Sequence, residues 1–313
     1  MSITNFKFSA VDIAPSDTPT EIAFSQSHGI MAVTSWDGTM RFYNSGQPPF
    51  TQKSQAKHEK PLLSCCFNQQ GTIAVASGTD GKLLVHDLQS SQSFSFQAHQ
   101  AGIRSVRVYG DHIVSASWDQ TIKFWDLRSQ TPVHTINTGD RVLTMDLQKD
   151  FMVFTMPGNK IQTYNMKNLG SPGTATTKLT WQIRSLSVMY DNESFIVGGI
   201  EGRAEVINPS QPANKFIFKC HRTPSDLYSV NTVSPNPANS NIIATGGSDG
   251  KISFYDRGQR IKVLHESAGG MVSCGRFSPD GQSYVFGTGY DWSRGYESNN
   301  ENVNVKILQF IGI

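Results

Sequence analysis

The sequence predicts an all-β chain folded as a seven-bladed β-propeller, and three observations carry that prediction. A short turn signature recurs along the 313 residues, the strands after most of those turns alternate apolar and polar residues, and the composition suits short strands joined by tight turns. The signature is clearest as SWDG (35–38), GTDG (78–81), SWDQ (117–120) and GSDG (247–250). Weaker copies stand at PGNK (157–160), IEGR (200–203) and GYDW (289–292), with Asn159 and Glu201 in the place of the Asp. The turn positions 37, 80, 119, 159, 201, 249 and 291 lie 39 to 48 residues apart, against roughly 40–45 for a four-stranded propeller blade. Seven turns predict seven blades.

The strands that follow the turns end in an aromatic or His and then a small polar residue: MRFYN to Asn44, LLVHD to Asp87, IKFWD to Asp126, IQTYN to Asn165 and ISFYD to Asp256. Alternation with period two marks half-buried strands, and Gly or Asp ahead of them fits turn chemistry. Helix has no foothold in this pattern. Hydrophobic residues make up 37% and charged residues 17%, with 27 Gly, as expected for strands punctuated by turns. Lys and Arg number 27 against 25 Asp and Glu, so the net charge of +2 produces no field strong enough to imply nucleic-acid binding, and any basic site must be local. The N-terminus has no apolar core of signal-peptide length and no apolar run of about 18 residues occurs, so a soluble intracellular protein without membrane insertion is expected. Cys65, Cys66, Cys220 and Cys274 lack the two-residue spacing of a zinc knuckle and are expected to be buried, reduced thiols. No metal or cofactor is expected.

Histidines at His58, His99, His221 and His265 precede the turn positions by 20 to 28 residues, which places them in loops between blades. Repeat three, HQAGIRSVRVYGDHIVSASWDQTIKFWD, resembles the WD-repeat family. That resemblance implies a buried hydrogen-bonded chain of loop His, strand Ser, turn Asp and strand Trp, here His99, Ser115, Asp119 and Trp125. A buried Asp must be satisfied by donors or it costs several kcal/mol. Ser, His and Asp could also be read as a catalytic triad, but the nucleophile would be buried in a sheet and no nucleophile elbow surrounds it. Other blades keep fragments of the tetrad, such as His221, Thr245, Asp249 and Tyr255. The last repeat ends near Val303 to Phe310 without an outer strand, so residues 5–13 (NFKFSAVDI) are expected to pair onto blade seven and close the ring. Residues 1–313 are expected to form one propeller domain, and the stretch 170–177 (GSPGTATT) a surface loop between blades four and five.

In the family geometry the His-bearing loops and the Asp-bearing turns share one face of the disc. Trp36, Trp118 and Trp292 adjoin turn positions, Arg203 follows the blade-five turn, and Arg222 follows the blade-six loop histidine, so all five are expected on that face. Arg offers bidentate geometry to carboxylates, and Trp and Arg are enriched at binding hot spots. An anionic peptide clamp is the expected chemistry. IEGR (200–203), INP (207–209), FKCHR (218–222), ATGGSDG (244–250), YDWSRGYE (290–297) and SWDQTIKFWDLR (117–128) together resemble a narrower family, the nuclear-pore messenger-RNA export factor. A sister family, the spindle-checkpoint propeller that carries checkpoint kinases to kinetochores, shares several of these motifs, whereas YDWSRGYE and INP are similar to the export factor alone.

What the resemblance implies is a non-catalytic scaffold that grips the acidic GLEBS motif of a Gly-Leu-Phe-Gly-repeat nucleoporin through Arg203 and Arg222. Messenger ribonucleoprotein would thereby be tethered at the nuclear pore. The implied location is the nucleus and its envelope, with shuttling to the cytoplasm, as a monomer or a heterodimer with the nucleoporin. The loop after KCHR (TPSDLYSVN) is shorter than the family's and no basic tail follows Phe310, so the resemblance supports the peptide contact further than an RNA contact. Direct single-stranded RNA binding is the alternative, with Trp292, Arg294 and Tyr296 as an aromatic and basic patch; the checkpoint adaptor is another. An enzyme is not expected, because no GxxxxGK[ST], no HExxH and no placeable carboxylate pair occurs.

Overall fold

The recurrent turns and alternating strands become the ribs of a closed ring. The computed structural model describes residues 5–211, 216–295 and 302–310, and within them the strands form seven antiparallel sheets of four strands each. Blades one to six follow one another over residues 19–57, 62–97, 103–137, 144–175, 183–219 and 230–267. Blade seven combines Val272–Phe277, Ser283–Thr288 and Asn304–Phe310 with the N-terminal strand Phe6–Ala10. Every turn position, the substituted Asn159 and Glu201 included, falls between the second and third strands of its blade. Among the described residues the helical content is one 3-10 turn, Pro157–Asn159.

A blade is covered on both faces by its neighbours, so its second strand has no solvent side to keep polar. Hence FMVFTM (Phe151–Met156) and IMAVTS (Ile30–Ser35) are buried almost throughout, unlike a one-sided sheet with strict alternation. One apolar cluster fills each interface between adjacent blades: Met40, Phe42 and Phe67 between blades one and two, for example, and Tyr43, Phe50, Val285 and Ile307 between blades one and seven. Each fully buried side chain of this size contributes about 1.5–3 kcal/mol. The inner strands, packed side by side, enclose a central channel.

Ring closure follows the sequence expectation. Phe6–Ala10 pairs antiparallel with Asn304–Phe310, from Phe6 opposite Phe310 to Ala10 opposite Lys306, and Val11 bridges to Phe50 of blade one. The Phe8 ring meets Phe286 edge-on at 6.3 Å. Removing residues 1–10 strips that strand and leaves Asn304–Phe310 as an open edge. A drop in Tm of about 5 °C with concentration-dependent light scattering is expected; unchanged melting and a clean monomer would refute the closing role.

Two expectations are corrected. Residues 170–175 are not loop: they belong to Asn168–Ala175, the outer strand of blade four, and only Thr176 and Thr177 of the stretch lie beyond it. An outer strand is mostly exposed and needs no apolar alternation, and a register shift beside Asn165 accommodates its Gly and Pro. His265 is likewise not in a loop. It lies within the outer strand Ile261–Ser267, where its Nδ1 meets the Ser253 hydroxyl at 2.6 Å. That strand runs two residues past His265, whereas His58, His99 and His221 each follow the end of theirs. Asp291 therefore has no histidine, and binds Asn231 Nδ2 at 3.0 Å and the Ser248 hydroxyl instead.

Candidate docking face

The loops leading into the inner strands and the turns between second and third strands meet on one face of the disc, held together by the blade-three chain and its relatives. Trp125 Nε1 donates to Ser115 Oγ at 2.7 Å, Ser115 Oγ lies 2.7 Å from His99 Nε2, and His99 Nδ1 lies 2.9 Å from Asp119 Oδ2. Thr121 donates to Asp119 Oδ1 at 2.6 Å and the Gln100 amide to Asp119 Oδ2 at 3.0 Å. Burial raises the Asp119 pKa, but the bonds from Thr121, Gln100 and His99 outweigh it and hold the carboxyl below its ordinary value. Blade six repeats part of the chain: His221 bridges Asp249 at 2.8 Å and Thr245 at 2.9 Å, while the Tyr255 hydroxyl turns away to the Lys219 carbonyl. In blade two His58 meets Asp80 at 3.0 Å. Ser115 is fully buried, so its hydroxyl ties loop to sheet and is closed to any substrate carbonyl.

Degenerate turns do the same work with other donors. Asn159 donates to the carbonyls of Leu179 and Trp181 and accepts from the Ile183 amide, and Glu201 accepts from the Thr180 amide at 2.9 Å. The four cysteines are buried and unpaired, and burial pushes the thiols of Cys66, Cys220 and Cys274 up to about 12, so they stay protonated and inert. Among the described residues no three His, Cys, Asp or Glu side chains gather as a metal site, and no helix is long and apolar enough to cross a membrane.

Trp36, Trp118 and Trp292 are all exposed on this face. Trp118 lies over Gly102, where a β-carbon would come within 2.6 Å of its ring. Arg203 begins the third strand of blade five, and Arg222 opens the loop that leaves the same blade. The residue between turn and strand, Gly202, explains how close they come. With φ +66° it occupies the left-handed region, and a β-carbon there would strike the His221 carbonyl and approach Arg222 Cβ to 3.1 Å. Arg203 has a loose ion pair with Glu201 at 3.9 Å, and Arg222 has none among the described residues.

The two arginines adjoin an apolar strip that the sequence did not mark. Ile200 sits in the same turn as Arg203, and Leu227 bridges back to Arg222 through the backbone; both side chains are exposed. Ile200 and Leu227 share a shallow depression with Tyr228, Arg184, Trp292 and Arg294. Trp292 stands there 55% exposed, against Tyr290 at 5.6 Å, with a left-handed φ of +63°. That conformation costs a non-glycine residue about 1–2 kcal/mol, and the loop sustains it: Tyr290 OH accepts from the Arg294 amide and donates to the Gly295 carbonyl at 2.6 Å. Tyr296 lies outside the described residues. Trp36 and Trp118, in blades one and three, stand apart from this depression. Trp181, the most exposed tryptophan at 61%, was missed because its loop carries no histidine, although the loop's place ahead of blade five was a signal for the same face.

Residues 11–44, 51–87, 90–126 and 213–256 match the family described as "WD domain, G-beta repeat". The chain is 32% identical over 312 residues to mRNA export factor GLE2 of Chaetomium thermophilum, spanning 94% of this chain and 87% of that protein. It is 32% identical over 314 residues to Poly(A)+ RNA export protein of Schizosaccharomyces pombe, with 94% and 87% covered. The solved structure of U3-55K superposes with a TM-score of 0.83 over 96% of this chain and 98% of that one; at 15% identity this likeness speaks for the fold alone. Fold, tetrad and full-length similarity agree: the chain belongs to the mRNA export factor family of WD-repeat propellers.

Proposed function

We propose that this protein is a non-catalytic docking platform that supports messenger-RNA export, gripping an acidic GLEBS-type motif of a Gly-Leu-Phe-Gly-repeat nucleoporin with Arg203 and Arg222. It would act at the nuclear pore, alone or as a heterodimer with that nucleoporin. The observation that carries this reading is the placement of two incompletely neutralised arginines at one edge of blade five, Arg203 at the start of its third strand and Arg222 just past its outer strand, beside the exposed Ile200 and Leu227. Carboxylates would meet the guanidinium forks, and a neighbouring apolar side chain would cover the strip. The relatives named for mRNA and poly(A)+ RNA export support the cellular role.

The test is calorimetric titration of a GLEBS-type peptide into wild-type protein and an Arg203→Glu, Arg222→Glu variant. Loss of one member of a desolvated charge pair costs about 2–5 kcal/mol, so the variant is expected to bind at least about thirtyfold more weakly while melting near the wild-type temperature. Wild-type affinity in the variant overturns the proposal. Direct single-stranded RNA contact is a second reading, favoured by Trp292 held exposed beside Arg294. Stacking and phosphate contacts predict affinity that falls steeply with salt and drops in Trp292→Ala; no retention of RNA at physiological salt removes it.

A further inference from the structure

The central channel concentrates charge that the near-neutral composition conceals. Six inner strands slip register by one residue close to their start, leaving Thr20, Leu63, Arg104, Arg184, Asn231 and Ser273 as the extra residues. A bulge takes its residue out of the ladder and re-aims the side chain. All of these but Leu63 line the channel. Its mouth is thus a polar ring that carries two guanidinium groups, and the nearest acid outside the channel, Asp291, is held by Asn231 Nδ2 at 3.0 Å and by the Ser248 hydroxyl.

Farther along the channel stand two more arginines and two carboxylates, and both carboxylates are already engaged. Glu21 Oε1 meets Arg107 at 2.8 Å and Arg276 at 3.8 Å. Asp146 takes Arg107 Nε at 2.5 Å, the Val188 amide at 2.8 Å and the Ser187 hydroxyl at 3.2 Å. Four arginines therefore face two acids. Arg104 and Arg184 have no ion pair and no side-chain hydrogen bond among the described residues. Burial and the neighbouring Arg184 charge lower the Arg104 pKa to about 10, so it remains a cation at neutral pH.

We propose that the channel mouth binds a small phosphate-type oxyanion between Arg104 and Arg184. Phosphate suits the planar guanidinium fork, which offers it paired N–H donors. The neutral members of the ring have spent their donors: Thr20 Oγ1 on the Leu62 carbonyl at 2.7 Å, Ser273 Oγ on the Pro19 carbonyl at 2.6 Å, and Asn231 Nδ2 on the Val272 carbonyl at 2.9 Å. Among these bulge residues only the two arginines keep side-chain donors without a partner among the described residues. The cavity, about 90 Å³, is far below the roughly 300–1,000 Å³ of sites for drug-sized ligands. That volume suits a single tetrahedral ion. Arg184 also lines the depression that holds Ile200 and Leu227, so the ion would sit next to the docking face without belonging to it.

Inorganic phosphate is titrated into the full-length, peptide-free protein at constant ionic strength, with chloride as the reference, and binding is followed by phosphorus-31 line width and by Tm. Saturable broadening is expected, with a rise in Tm of about 3 °C at phosphate tenfold above Kd. Arg104→Gln and Arg184→Gln should each weaken binding at least tenfold, and Arg203→Gln should leave it unchanged. In chloride alone the two channel variants are expected to melt no lower than wild type, because a like-charge repulsion has gone. Should either fail to fold, Arg184→Lys keeps the charge, loses the fork, and is expected to bind severalfold more weakly. A response no greater than chloride's in the wild type, or a wild-type midpoint in these channel variants, overturns the proposal. Neither result bears on peptide binding.

Discussion

Arg107→Leu is expected to destabilise the folded protein by about 3–5 kcal/mol at pH 7, the cost of leaving a buried partner charge uncompensated. Arg107 lies in the inner strand of blade three and binds across the channel to Glu21 of blade one, Asp146 of blade four and the Ser64 hydroxyl of blade two at 3.3 Å. One side chain thus ties four blades at the centre of the ring. Of the two acids, Asp146 suffers more. It is only 4% exposed, and without Arg107 it keeps neutral donors from Ser187 and Val188 and the charge of Arg276 without an ion pair, whereas Glu21 keeps its ion pair with Arg276 at 3.8 Å. Burial pushes the Asp146 carboxyl up, and the charges of Arg107 and Arg276 overcome that and hold it below its ordinary value.

The sign of the pH effect follows. A depressed carboxyl stabilises the fold above the unfolded pKa near 3.9 and loses that contribution as pH falls through the folded value. In Arg107→Leu the Asp146 carboxyl takes up a proton more readily, so the gap between variant and wild type should narrow on acidification. Urea unfolding at pH 7 and pH 4.5 measures it. Adding Glu21→Leu and Asp146→Leu should restore most of the lost stability, because an apolar set of similar volume avoids the desolvation cost. A gap that stays constant with pH, together with no rescue, would show that packing and not charge sets the effect.

What was legible in the sequence was whatever is written locally. A turn needs Gly, Asn or Asp at fixed offsets, so the seven turn positions and the strands beside them could be read one blade at a time. The unpaired end of blade seven and the unassigned residues 5–13 likewise implied each other, because an open sheet edge needs a partner. Arg203 and Arg222 could be placed on one rim by equivalent positions in the repeat and by resemblance to a family. The channel was not legible. The bulges that aim Arg104 and Arg184 inward shift register by a single residue and leave no compositional mark. Nor does anything in the sequence bring Glu21 beside Arg107, 86 positions later. Leu227 joins Arg222 through a bridge inside an irregular loop, and so the apolar half of the candidate docking face was hidden. His265 misled for the converse reason: a marker residue three positions early falls in a strand and finds Ser253.

Acidification from pH 7 to about 4 is expected to remove about 3 kcal/mol of stability through His99 alone. Its side chain is fully buried, and burial drives its pKa from 6.5 down to about 4, with the attraction of Asp119 opposing but not cancelling the shift. The hydrogen bonds agree with a neutral ring. Trp125 Nε1–H donates to Ser115, the Ser115 hydroxyl can then donate to His99 Nε2, and His99 Nδ1–H donates to Asp119. A second proton on the ring would force Ser115 Oγ to accept from both Trp125 and His99, with only the Lys123 carbonyl, at 3.5 Å, left to take its own hydrogen. Because the folded pKa is depressed, the unfolded chain binds the proton first. The stabilising contribution is complete above pH 6.5 and disappears as pH falls to about 4, at about 1.4 kcal/mol per unit. Other histidines with lowered pKa, His86 and His265, act in the same direction, so the diagnostic is a difference. Urea midpoints of wild type and His99→Gln, taken between pH 7 and pH 4.5, should converge as the pH drops, since Gln takes up no proton in the unfolded chain. His99→Gln should be the less stable at pH 7 by about 1–3 kcal/mol for its broken bonds to Asp119 and Ser115. Parallel curves would mean that His99 takes up its proton as readily in the fold as in the unfolded chain, and a gap that widens on acidification would mean that it is held charged against Asp119.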